Sequence, residues 1–376
     1  MSSHPLDDPL DSLFENADRD IKQKKRLQEL GYRYDPCDPL LPLHDPHAFY
    51  GDENQQYKDL IIKIVEFIEE SSYDLLILKG PRGTGKTIFA RIFEAYSQKL
   101  NISAVYQDAS TFFKETTGSD PPIDWSSADV IFLDDAFLLH KTLRRLLTVN
   151  SPFPPLSPKI IAIMDSTEFE IYRRLCIQQG DTSYQHFLSM PHFNHIEITN
   201  LLNRRLRVCY REQTIPYIPA NTVSNIASIT FGNPGVAISI LEDFFSLNSS
   251  LSFVDFRFTF GIDPEVLNNF SPSKIPILRE ILVREVQNES LPFERRQYII
   301  HKELTRLMNK TKSTISHHLG DLLSGTLIYE QSTDRDKREK AYRPNKAIFG
   351  ILEHLAFETS FSVDARITFK GIYHED

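Results

Sequence analysis

LKGPRGTGKTIFA, residues 78–90, is the stretch that decides the predicted fold. An apolar segment, DLLILK (74–79), precedes its glycines, and an amphipathic segment, KTIFARIFEAYSQKL (86–100), follows them. This order predicts a strand, a glycine-rich loop and a helix, and residues 80–87 match GxxxxGK[ST] at every fixed position. Glycines let backbone N–H groups turn inward around anionic oxygens, and the following helix N-terminus adds the positive end of its dipole. The stretch therefore predicts a phosphate-binding loop.

The loop pattern gives particular side chains a role. Lys86 is expected to reach the β- and γ-phosphates of a nucleotide triphosphate, and the Thr87 hydroxyl is expected to ligate Mg²⁺. The predicted cofactors are therefore ATP and Mg²⁺. The predicted nucleotide contacts within the loop are Gly80, Pro81, Arg82, Gly83, Thr84, Gly85, Lys86 and Thr87.

Acidic residues at the end of a later strand supply the second half of such a site. VIFLDD (130–135) predicts a buried strand that ends in Asp134, as the carboxylate on the Mg²⁺ side. Asp135 follows as the candidate base that polarises the attacking water, and the two are the candidate catalytic residues. Glutamate is commoner at the second position, and Asp135 is one methylene group shorter. We therefore expect ATP binding with weak or slow hydrolysis.

A further strand, KIIAIMDST (159–167), also ends in polar residues. Asp165, Ser166 or Thr167 is expected to touch the γ-phosphate or the attacking water, and the sequence does not choose among the three. Ser166 is the one included among the predicted nucleotide contacts. The alternative is a strand-end turn that is held by local side-chain hydrogen bonds.

The remaining apolar segments predict how the chain is divided. ISAVYQD (102–108) and HIEIT (195–199) join the three strands above in a five-stranded sheet. Near-continuous apolar strands between helical segments indicate a parallel α/β sheet that is covered on both faces. Residues 200–247 have a helical pattern throughout. The predicted domains are an N-terminal extension and linker (1–47), an α/β nucleotide-binding domain (48–199), a helical lid (200–270) and a C-terminal unit with a tail (271–376).

Composition narrows the class of protein and of partner. The net charge of −9 over 376 residues argues against a uniformly basic binder, but residues 271–346 hold 15 Lys and Arg against 10 Asp and Glu. This local excess points to a polyanionic partner. No apolar run approaches the roughly 18 residues of a membrane helix, so no membrane partner is expected. The three widely spaced cysteines favour a reducing, intracellular location, either cytoplasmic or nucleoid-associated.

The C-terminal unit has the layout of a winged helix-turn-helix. Helices are predicted at 274–288, 298–308 and 313–325, and two strands with a charged tip at 327–344. The start of the third helix would present Lys312, Ser316 and His317 to base edges, which predicts double-stranded DNA as a partner. The alternative is a winged helix that makes only protein contacts. The basic wing residues expected to face phosphates are Lys337, Arg338, Lys340 and Arg343.

Residues 48–247 resemble the AAA+ class of phosphate-loop ATPases, through GPRGTGKT (80–87), FLDD (132–135), IMDST (163–167) and the helical lid. The resemblance implies a five-stranded sheet plus a lid, with ATP bound between them. In the lid, FGNPGVAISIL (231–241) resembles the GNPR segment of archaeal and eukaryotic replication-initiator ATPases, in which the arginine senses the γ-phosphate; Gly235 occupies that position here. The C-terminal unit resembles the winged-helix domains of archaeal DNA-binding proteins. Together these resemblances imply ATP-controlled DNA binding, with copies of the same chain or other AAA+ subunits as further partners.

The double acid of FLDD and the Gly-x-Pro of FGNPG (231–235) also resemble the signal-transduction ATPases of the STAND class. That resemblance implies a regulatory ATPase whose winged helix does not read DNA. A third alternative is an ATPase subunit that serves a transposase or a plasmid-partition partner. Arg173 and Arg174, in EIYRRLC (170–176), are candidates for an arginine finger offered to a neighbouring subunit.

Overall fold

The computed structural model describes residues 27, 32, 34–44, 55–71, 73–109, 128–139, 158–210, 220–246, 262, 266–267, 269–289, 291–292, 295–332 and 339–358. Contacts divide the chain into two units. One comprises Met1–Glu53 with Phe193–Thr259, and the other comprises Asn54–His192 with Phe260–Asp376. Among the described residues, no helix combines the length and the apolar character needed to cross a membrane.

A five-stranded parallel sheet forms the centre of the second unit. Its strands lie in the order β2-β3-β4-β1-β5, so the strand that leads into the glycine loop has β4 and β5 as neighbours. All six residues of β1 are buried, as the apolar run DLLILK predicts. The strands are β1 (Leu75–Gly80), β2 (Ala104–Asp108), β3 (Val130–Asp134), β4 (Lys159–Asp165) and β5 (Phe187–Ser189). The sheet is therefore the five-stranded parallel sheet that the sequence predicts.

Three helices accompany this sheet along the chain. They are α1 (Gln55–Glu70), α2 (Lys86–Tyr96) and α3 (Ser166–Gln179). Each buries one stripe of apolar side chains, and in α1 the stripe is Tyr57, Leu60, Ile64 and Phe67, at the spacing of a helix packed on one face. Because α2 begins directly after the loop and α3 directly after β4, both helix N-termini lie at the carboxyl edge of the sheet.

The predicted fifth strand at 195–199 is wrong. These residues begin helix α4 (His195–Cys209), and the fifth strand lies earlier, at Phe187–Ser189. The Asn194 side chain accepts a hydrogen bond from the Glu197 backbone N–H, and the Glu197 side chain accepts one from the Asn194 N–H. This reciprocal cap starts a helix, and it outweighs the alternating pattern of HIEIT.

The first unit contains α4, α5 (Ala220–Ile229) and α6 (Pro234–Ser246), in the stretch predicted to be helical. Part of the N-terminal segment packs into the same unit. The buried Arg205 guanidinium donates to the carbonyl oxygens of Pro36, at 2.7 Å, and Asp38. Tyr32 packs edge-on against Tyr210 at 5.3 Å between ring centroids. These contacts make the N-terminal segment part of the packed unit.

The described C-terminal part of the second unit has the three predicted helices and a small antiparallel sheet, but the helix predicted at 298–308 begins at 301, because 299–300 form a third, unpredicted strand of that sheet. They are α7 (Ile275–Glu289), β6 (Ile299–Ile300), α8 (His301–Met308), α9 (Lys312–Ser324), β7 (Ile328–Ser332) and β8 (Lys340–Pro344), with the sheet order β6-β8-β7. Helix α9 begins one residue before the predicted cap, because the Thr311 hydroxyl, not that of Ser313, accepts the Thr314 N–H. The strand tip at 333–338 and the predicted strand pair in the tail at 360–376 lie outside the described residues.

One further element has no counterpart in the sequence-based prediction. Helix α10 (Phe349–Glu353) follows β8 and continues as a π-helical turn, His354–Glu358. Its apolar side chains, including Phe349, Ile351 and Leu352, are buried. The element packs against α3 and α7, which brings it to the carboxyl edge of the large sheet.

Candidate nucleotide-binding site

The glycine loop joins β1 to α2 as the sequence predicts. Gly83 and Gly85 have positive φ angles of 80° and 85°, a conformation that other residues rarely adopt. A Cβ atom on Gly80 would lie 3.0 Å from the Met190 Cβ, so a larger residue here would require Met190 to move by a few tenths of an ångström. The Thr84 hydroxyl donates to the Pro81 carbonyl at 2.8 Å and closes the turn. The loop therefore has the backbone shape that directs N–H groups toward an anion.

Lys86 is buried at the first position of α2. Its Nζ donates to the carbonyl oxygens of Gly80, at 2.8 Å, and Pro81, at 3.0 Å, and to Asp165 Oδ1 at 2.8 Å. Burial alone would lower the pKa of Lys86, but the charge and hydrogen bond of Asp165 outweigh it and the pKa is raised. The lysine is therefore a protonated cation held inside the loop, beside the end of β4.

The predicted metal-side pair, Thr87 and Asp134, is in direct contact. Thr87 Oγ1 donates to Asp134 Oδ2 at 2.7 Å. Tyr106, in the middle of the neighbouring strand β2, donates its hydroxyl to the same carboxylate oxygen at 2.8 Å. Burial and the charge of Asp134 raise the pKa of Tyr106, so the phenol stays protonated. Oxygen ligands from Thr87 and Asp134, one of them a carboxylate, fit the ligand preference of Mg²⁺.

Sequence reasoning missed Tyr106. It lies in the apolar segment ISAVYQD, where an aromatic residue is the ordinary occupant of a strand. The parallel pairing of β2 with β3 sets Asp108 opposite Asp134, and Tyr106 lies two positions earlier on the same strand. Only this register brings the hydroxyl to the Asp134 carboxylate. The contact positions Asp134 and shares its oxygen with Thr87.

Asp135, the candidate base, lies just beyond the end of β3. Its φ angle of 49° places it in the left-handed region, and its side chain is exposed. Partial burial, followed by the charge of Asp134, raises the pKa of Asp135 above its ordinary value. A raised pKa makes a carboxylate a better acceptor for a proton from water. The role of Asp135 as the base that polarises water stays a prediction.

The three alternatives at the end of β4 have different surroundings. Asp165 pairs with two loop cations, Lys86 and Arg82, whose Nε donates to its Oδ2 at 2.8 Å. Ser166 is buried and donates its hydroxyl to Glu358 at 2.7 Å. The buried Thr167 hydroxyl has no hydrogen-bond partner in the described part of the chain. Asp165 is thus the residue of the three that contacts the loop lysine.

Three acidic side chains of the C-terminal part also lie at the loop, and the sequence did not predict them. The Arg82 backbone N–H donates to Glu353 Oε2 at 2.7 Å. The Arg82 guanidinium donates to Glu289 at 2.9 Å, and Lys79 Nζ donates to Glu358 at 2.9 Å. They come from α7 and from α10 with its π-helical turn, roughly 200 to 280 positions away in the sequence. No local pattern could have indicated the contact.

Burial and neighbouring charges shift the pKa values of the titratable groups around the loop and the end of β4. Burial, followed by the charge of Asp165, raises the pKa of Glu353 to about 7. The same two causes raise the pKa of Glu168, which accepts the Asp165 backbone N–H, to about 8. Burial and the neighbouring His192 lower the pKa of His354 to about 3. The cluster therefore holds carboxyl groups that bind protons near neutral pH.

The predicted DNA-contacting residues lie apart from the phosphate loop on the sequence and in the fold. On α9, Lys312, Ser316 and His317 are exposed, and His317 has 74% of its side-chain surface accessible. Ser316 shares a 2.9 Å hydrogen bond with His301. Lys340 on β8 is exposed and pairs with Glu330 at 2.9 Å. The other wing residues, Lys337 and Arg338, lie outside the described residues.

Arg343 does not have the role predicted for it. Its guanidinium donates to Glu285, a buried acid on α7, at 2.9 Å, and lies 4.4 Å from the centre of the Tyr298 ring. Lys346 pairs with the same carboxylate at 3.1 Å, so Arg343 is one of two cations that neutralise this buried charge and is held beside it by the fold. The prediction that Arg343 faces phosphates is therefore wrong for the described conformation.

The arginine-finger candidates also have partners in this chain. Arg173 and Arg174 both pair with Glu170 on their own helix, and Arg174 additionally pairs with Glu280 on α7 at 2.7 Å. In the lid, the Asn233 side chain accepts the Val236 N–H and starts α6 just ahead of Gly235. The role of these arginines toward a neighbouring subunit stays a prediction.

Comparison with models of known protein families finds no match, and comparison with curated proteins finds none either. Solved structures that the chain resembles include replication initiators. Cdc6p from Pyrobaculum aerophilum has 15% identity and a TM-score of 0.38, covering 80% of this chain and 94% of that one. ORC1 from Aeropyrum pernix, in complex with DNA, has 13% identity and a TM-score of 0.39, covering 81% and 93%. AMPPCP-bound DnaA from Aquifex aeolicus has 15% identity and a TM-score of 0.38, covering 80% and 94%. Likeness at this level does not assign a function to the chain.

Proposed function

We propose that the protein is an ATP-binding ATPase with slow turnover, in which the nucleotide state controls binding of the C-terminal unit to double-stranded DNA. The observation that carries the proposal is the joint placement of Lys86, Thr87 and Asp134 at the carboxyl edge of the sheet. A buried lysine lies inside the glycine loop, and a hydroxyl–carboxylate pair lies 2.7 Å apart beside it. Phosphate and its metal ion need these groups in this arrangement.

The loop and β3 would divide the work on Mg-ATP. The loop N–H groups and Lys86 would hold the β- and γ-phosphates, and Thr87 with Asp134 would hold Mg²⁺, which would supply positive charge beside the phosphates. Asp135 would orient the attacking water. Its side chain is one methylene group shorter than glutamate, so the water is held less favourably and turnover is slow. At the end of β4, Asp165, Ser166 or Thr167 would touch the γ-phosphate or the attacking water, with Ser166 as the proposed nucleotide contact.

The start of α9 supports DNA as the partner. Its residues Lys312, Ser316 and His317 are exposed, short or basic, and belong to the helix that follows a helix and a tight turn. Such residues at the N-terminal end of a recognition helix reach base edges in the major groove. Lys340, together with Lys337 and Arg338 of the strand tip, would bind phosphates.

Titration of DNA affinity against salt tests this part of the proposal with the full chain. Replacing Lys337, Arg338 and Lys340 together by Ala is expected to weaken binding equally on all sequences. The slope of log K against log salt should become shallower by up to about 2.7, at roughly 0.9 for each phosphate that is no longer neutralised. Replacing Ser316 and His317 by Ala should instead reduce discrimination between sequences, by about 1–3 kcal/mol for each good base pairing that is removed.

A matched control removes the same charge from another surface. Lys58, Lys63 and Lys99 are exposed on the α/β part, and their joint replacement by Ala is expected to leave the salt slope unchanged. An absence of duplex binding by the full chain at about 50 mM salt, with ATP and without it, would refute DNA control.

A second candidate function, a regulatory ATPase whose C-terminal unit makes protein contacts only, is favoured by one observation. Glu353 and Glu289 on the C-terminal part bind the Arg82 backbone and side chain within this chain. In this alternative the C-terminal unit folds against its own ATPase core and has no DNA-reading role. ATP binding without DNA binding is its expected signature, so the salt titration separates the two candidates.

A further inference from the structure

The Glu353 carboxylate lies where two backbone donors converge. Its Oε2 accepts the N–H of Arg82 in the glycine loop at 2.7 Å, and its Oε1 accepts the N–H of Thr167 in the first turn of α3 at 3.1 Å. Glu353 is completely inaccessible to solvent. One donor belongs to the loop and the other to a helix N-terminus, and both kinds of donor are used for phosphate. The Glu353 carboxylate therefore lies where a phosphate of the nucleotide is predicted to accept these N–H groups.

Two neighbouring acids also pair with donors at the predicted nucleotide site. Glu358 accepts from Lys79 Nζ at 2.9 Å and from the Ser166 hydroxyl at 2.7 Å. Glu289 accepts from the Arg82 guanidinium at 2.9 Å, and that guanidinium lies 4.3 Å from the centre of the Phe349 ring. Cations and donors at the carboxyl ends of β1 and β4 are thus paired with carboxylates from the C-terminal part of the chain.

These contacts have a consequence for a triphosphate. Donors that face the anionic oxygens of Glu353 cannot at the same time face those of a phosphate, because each N–H points to one acceptor position. Charge-assisted bonds from backbone N–H, Lys and Arg groups are stronger than neutral ones, so the occupant of the position is decided by competition between two anions. Mg-ATP brings a metal ion and several phosphate oxygens to this competition.

We propose that α10 is a built-in competitor of the nucleotide: Glu353 stands in for a phosphate on the loop, so Mg-ATP binding and docking of the C-terminal unit exclude each other. This inference rests on the proposed ATP binding and adds the regulation of that same site. ATP displaces α10, Arg82 is freed for the phosphates, and the C-terminal unit leaves the carboxyl edge of the sheet. Loss of nucleotide lets Glu353 return.

A second contact, away from the glycine loop, also holds the C-terminal part in the docked position. Arg174 on α3 binds Glu280 on α7 through two hydrogen bonds, at 2.7 Å and 3.1 Å. Glu280 is not among the predicted nucleotide contacts, and Arg174 is a candidate only for a finger offered to a neighbouring subunit. Weakening this pair should weaken docking without touching the phosphate position, and therefore should strengthen ATP binding indirectly.

The experiment measures Mg-ATP affinity by calorimetry on the full chain and three variants. Glu353→Ala removes the competing carboxylate, Glu280→Ala weakens the remote pair, and Glu330→Ala is the matched control on β7. The dissociation constant should fall about tenfold or more for Glu353→Ala and a few fold for Glu280→Ala. The reason is that the apparent affinity equals the intrinsic affinity multiplied by the undocked fraction of the protein. Glu330→Ala should bind as the wild type does. Melting curves without nucleotide check that each variant is folded.

Hydrogen exchange gives an independent measurement on the unaltered chain. Backbone amides of 349–358 should be protected without nucleotide and lose protection at saturating Mg-ATP. Unchanged protection with ATP bound, or unchanged affinity in both Glu353→Ala and Glu280→Ala, overturns the competition while leaving ATP binding intact. Failure of all four proteins to bind ATP overturns the proposed function itself, and the competition with it.

Discussion

Replacing Lys86 by Ala tests whether the glycine loop holds phosphate. The expected loss of ATP-dependent stabilisation can be worked out from the contacts of Lys86. In the wild type, a hundredfold excess of Mg-ATP over its dissociation constant stabilises the fold by about 2.7 kcal/mol. A domain of this size gains roughly 2–4 °C in melting temperature for each kcal/mol, so the expected rise is roughly 5–10 °C. Losing the charged hydrogen bond of Lys86 to the phosphates costs about 1.5–3 kcal/mol of binding. At the same ATP concentration the remaining stabilisation is then about 0.3–1.3 kcal/mol.

The variant also has an effect without nucleotide, which requires a control. Lys86 donates to two loop carbonyls and to Asp165, so its loss lowers the melting temperature of the free protein. Lys159, at the start of β4 and so at the opposite edge of the sheet, likewise donates to two carbonyls, those of Phe67 and Ser71. Lys159→Ala should lower the melting temperature of the free protein while keeping the full ATP-dependent rise.

Differential scanning fluorimetry with and without Mg-ATP measures both effects on all three proteins. The reasoning predicts a large rise for the wild type and Lys159→Ala, and a rise reduced by at least half for Lys86→Ala. An equal ATP-dependent rise in Lys86→Ala and the wild type would refute the role of the loop in holding phosphate.

Two further changes test the chemistry and the electrostatics of the site. Asp135→Asn is expected to lower the rate of ATP hydrolysis while ATP affinity stays within about twofold, because a water-positioning acid acts mainly in the transition state; hydrolysis at the wild-type rate would exclude Asp135 as the base. The pKa of Glu353 is about 7 when docked, raised by burial and Asp165, and falls to its ordinary value of 4.5 on release. Protonation of Glu353 therefore adds a favourable contribution to the free energy of docking. This contribution is fully present below about pH 4.5 and is lost as pH rises through about 7, so ATP competes better with docking at high pH. The Glu353→Gln variant lacks this titrating group, while Glu168 and His354 are present in both proteins. The ratio of the variant's dissociation constant for Mg-ATP to that of the wild type should therefore increase from pH 5 to 7.5. A constant ratio would contradict a dependence of docking on the protonation of Glu353.

The parts of the site that are local in sequence could be predicted from it. The loop pattern specifies the side chains of Lys86 and Thr87 and the conformations of the glycines, because strand, loop and helix are contiguous. The strand ending at Asp134 follows equally from its apolar run. Thr87 follows β1 and Asp134 ends β3, and both lie at the carboxyl edge of the parallel sheet although β4 separates the two strands.

Other parts depend on contacts that no local pattern contains. HIEIT alternates like a strand, but the side-chain exchange between Asn194 and Glu197 makes it a helix. Arg343 looks like a surface cation in the sequence, and only the fold shows that Glu285 is buried beside it. Glu353 is an ordinary acid in an apolar helix until α10 is placed against the loop. Long-range packing, and not propensity, decides each of these cases.

The docked arrangement also limits how nucleotide can act on DNA binding. The exposed start of α9, with Lys312 and His317, stays open to solvent while Glu353 lies on the loop. Docking therefore does not cover the proposed DNA-reading surface, and control must come from the position that this surface takes relative to the rest of the chain. Linkage makes that control reciprocal: if ATP improves DNA binding by releasing the C-terminal unit, DNA must improve ATP binding by the same factor. If duplex DNA leaves ATP affinity unchanged, it binds the docked and released forms equally, and the competition at the loop serves a different output.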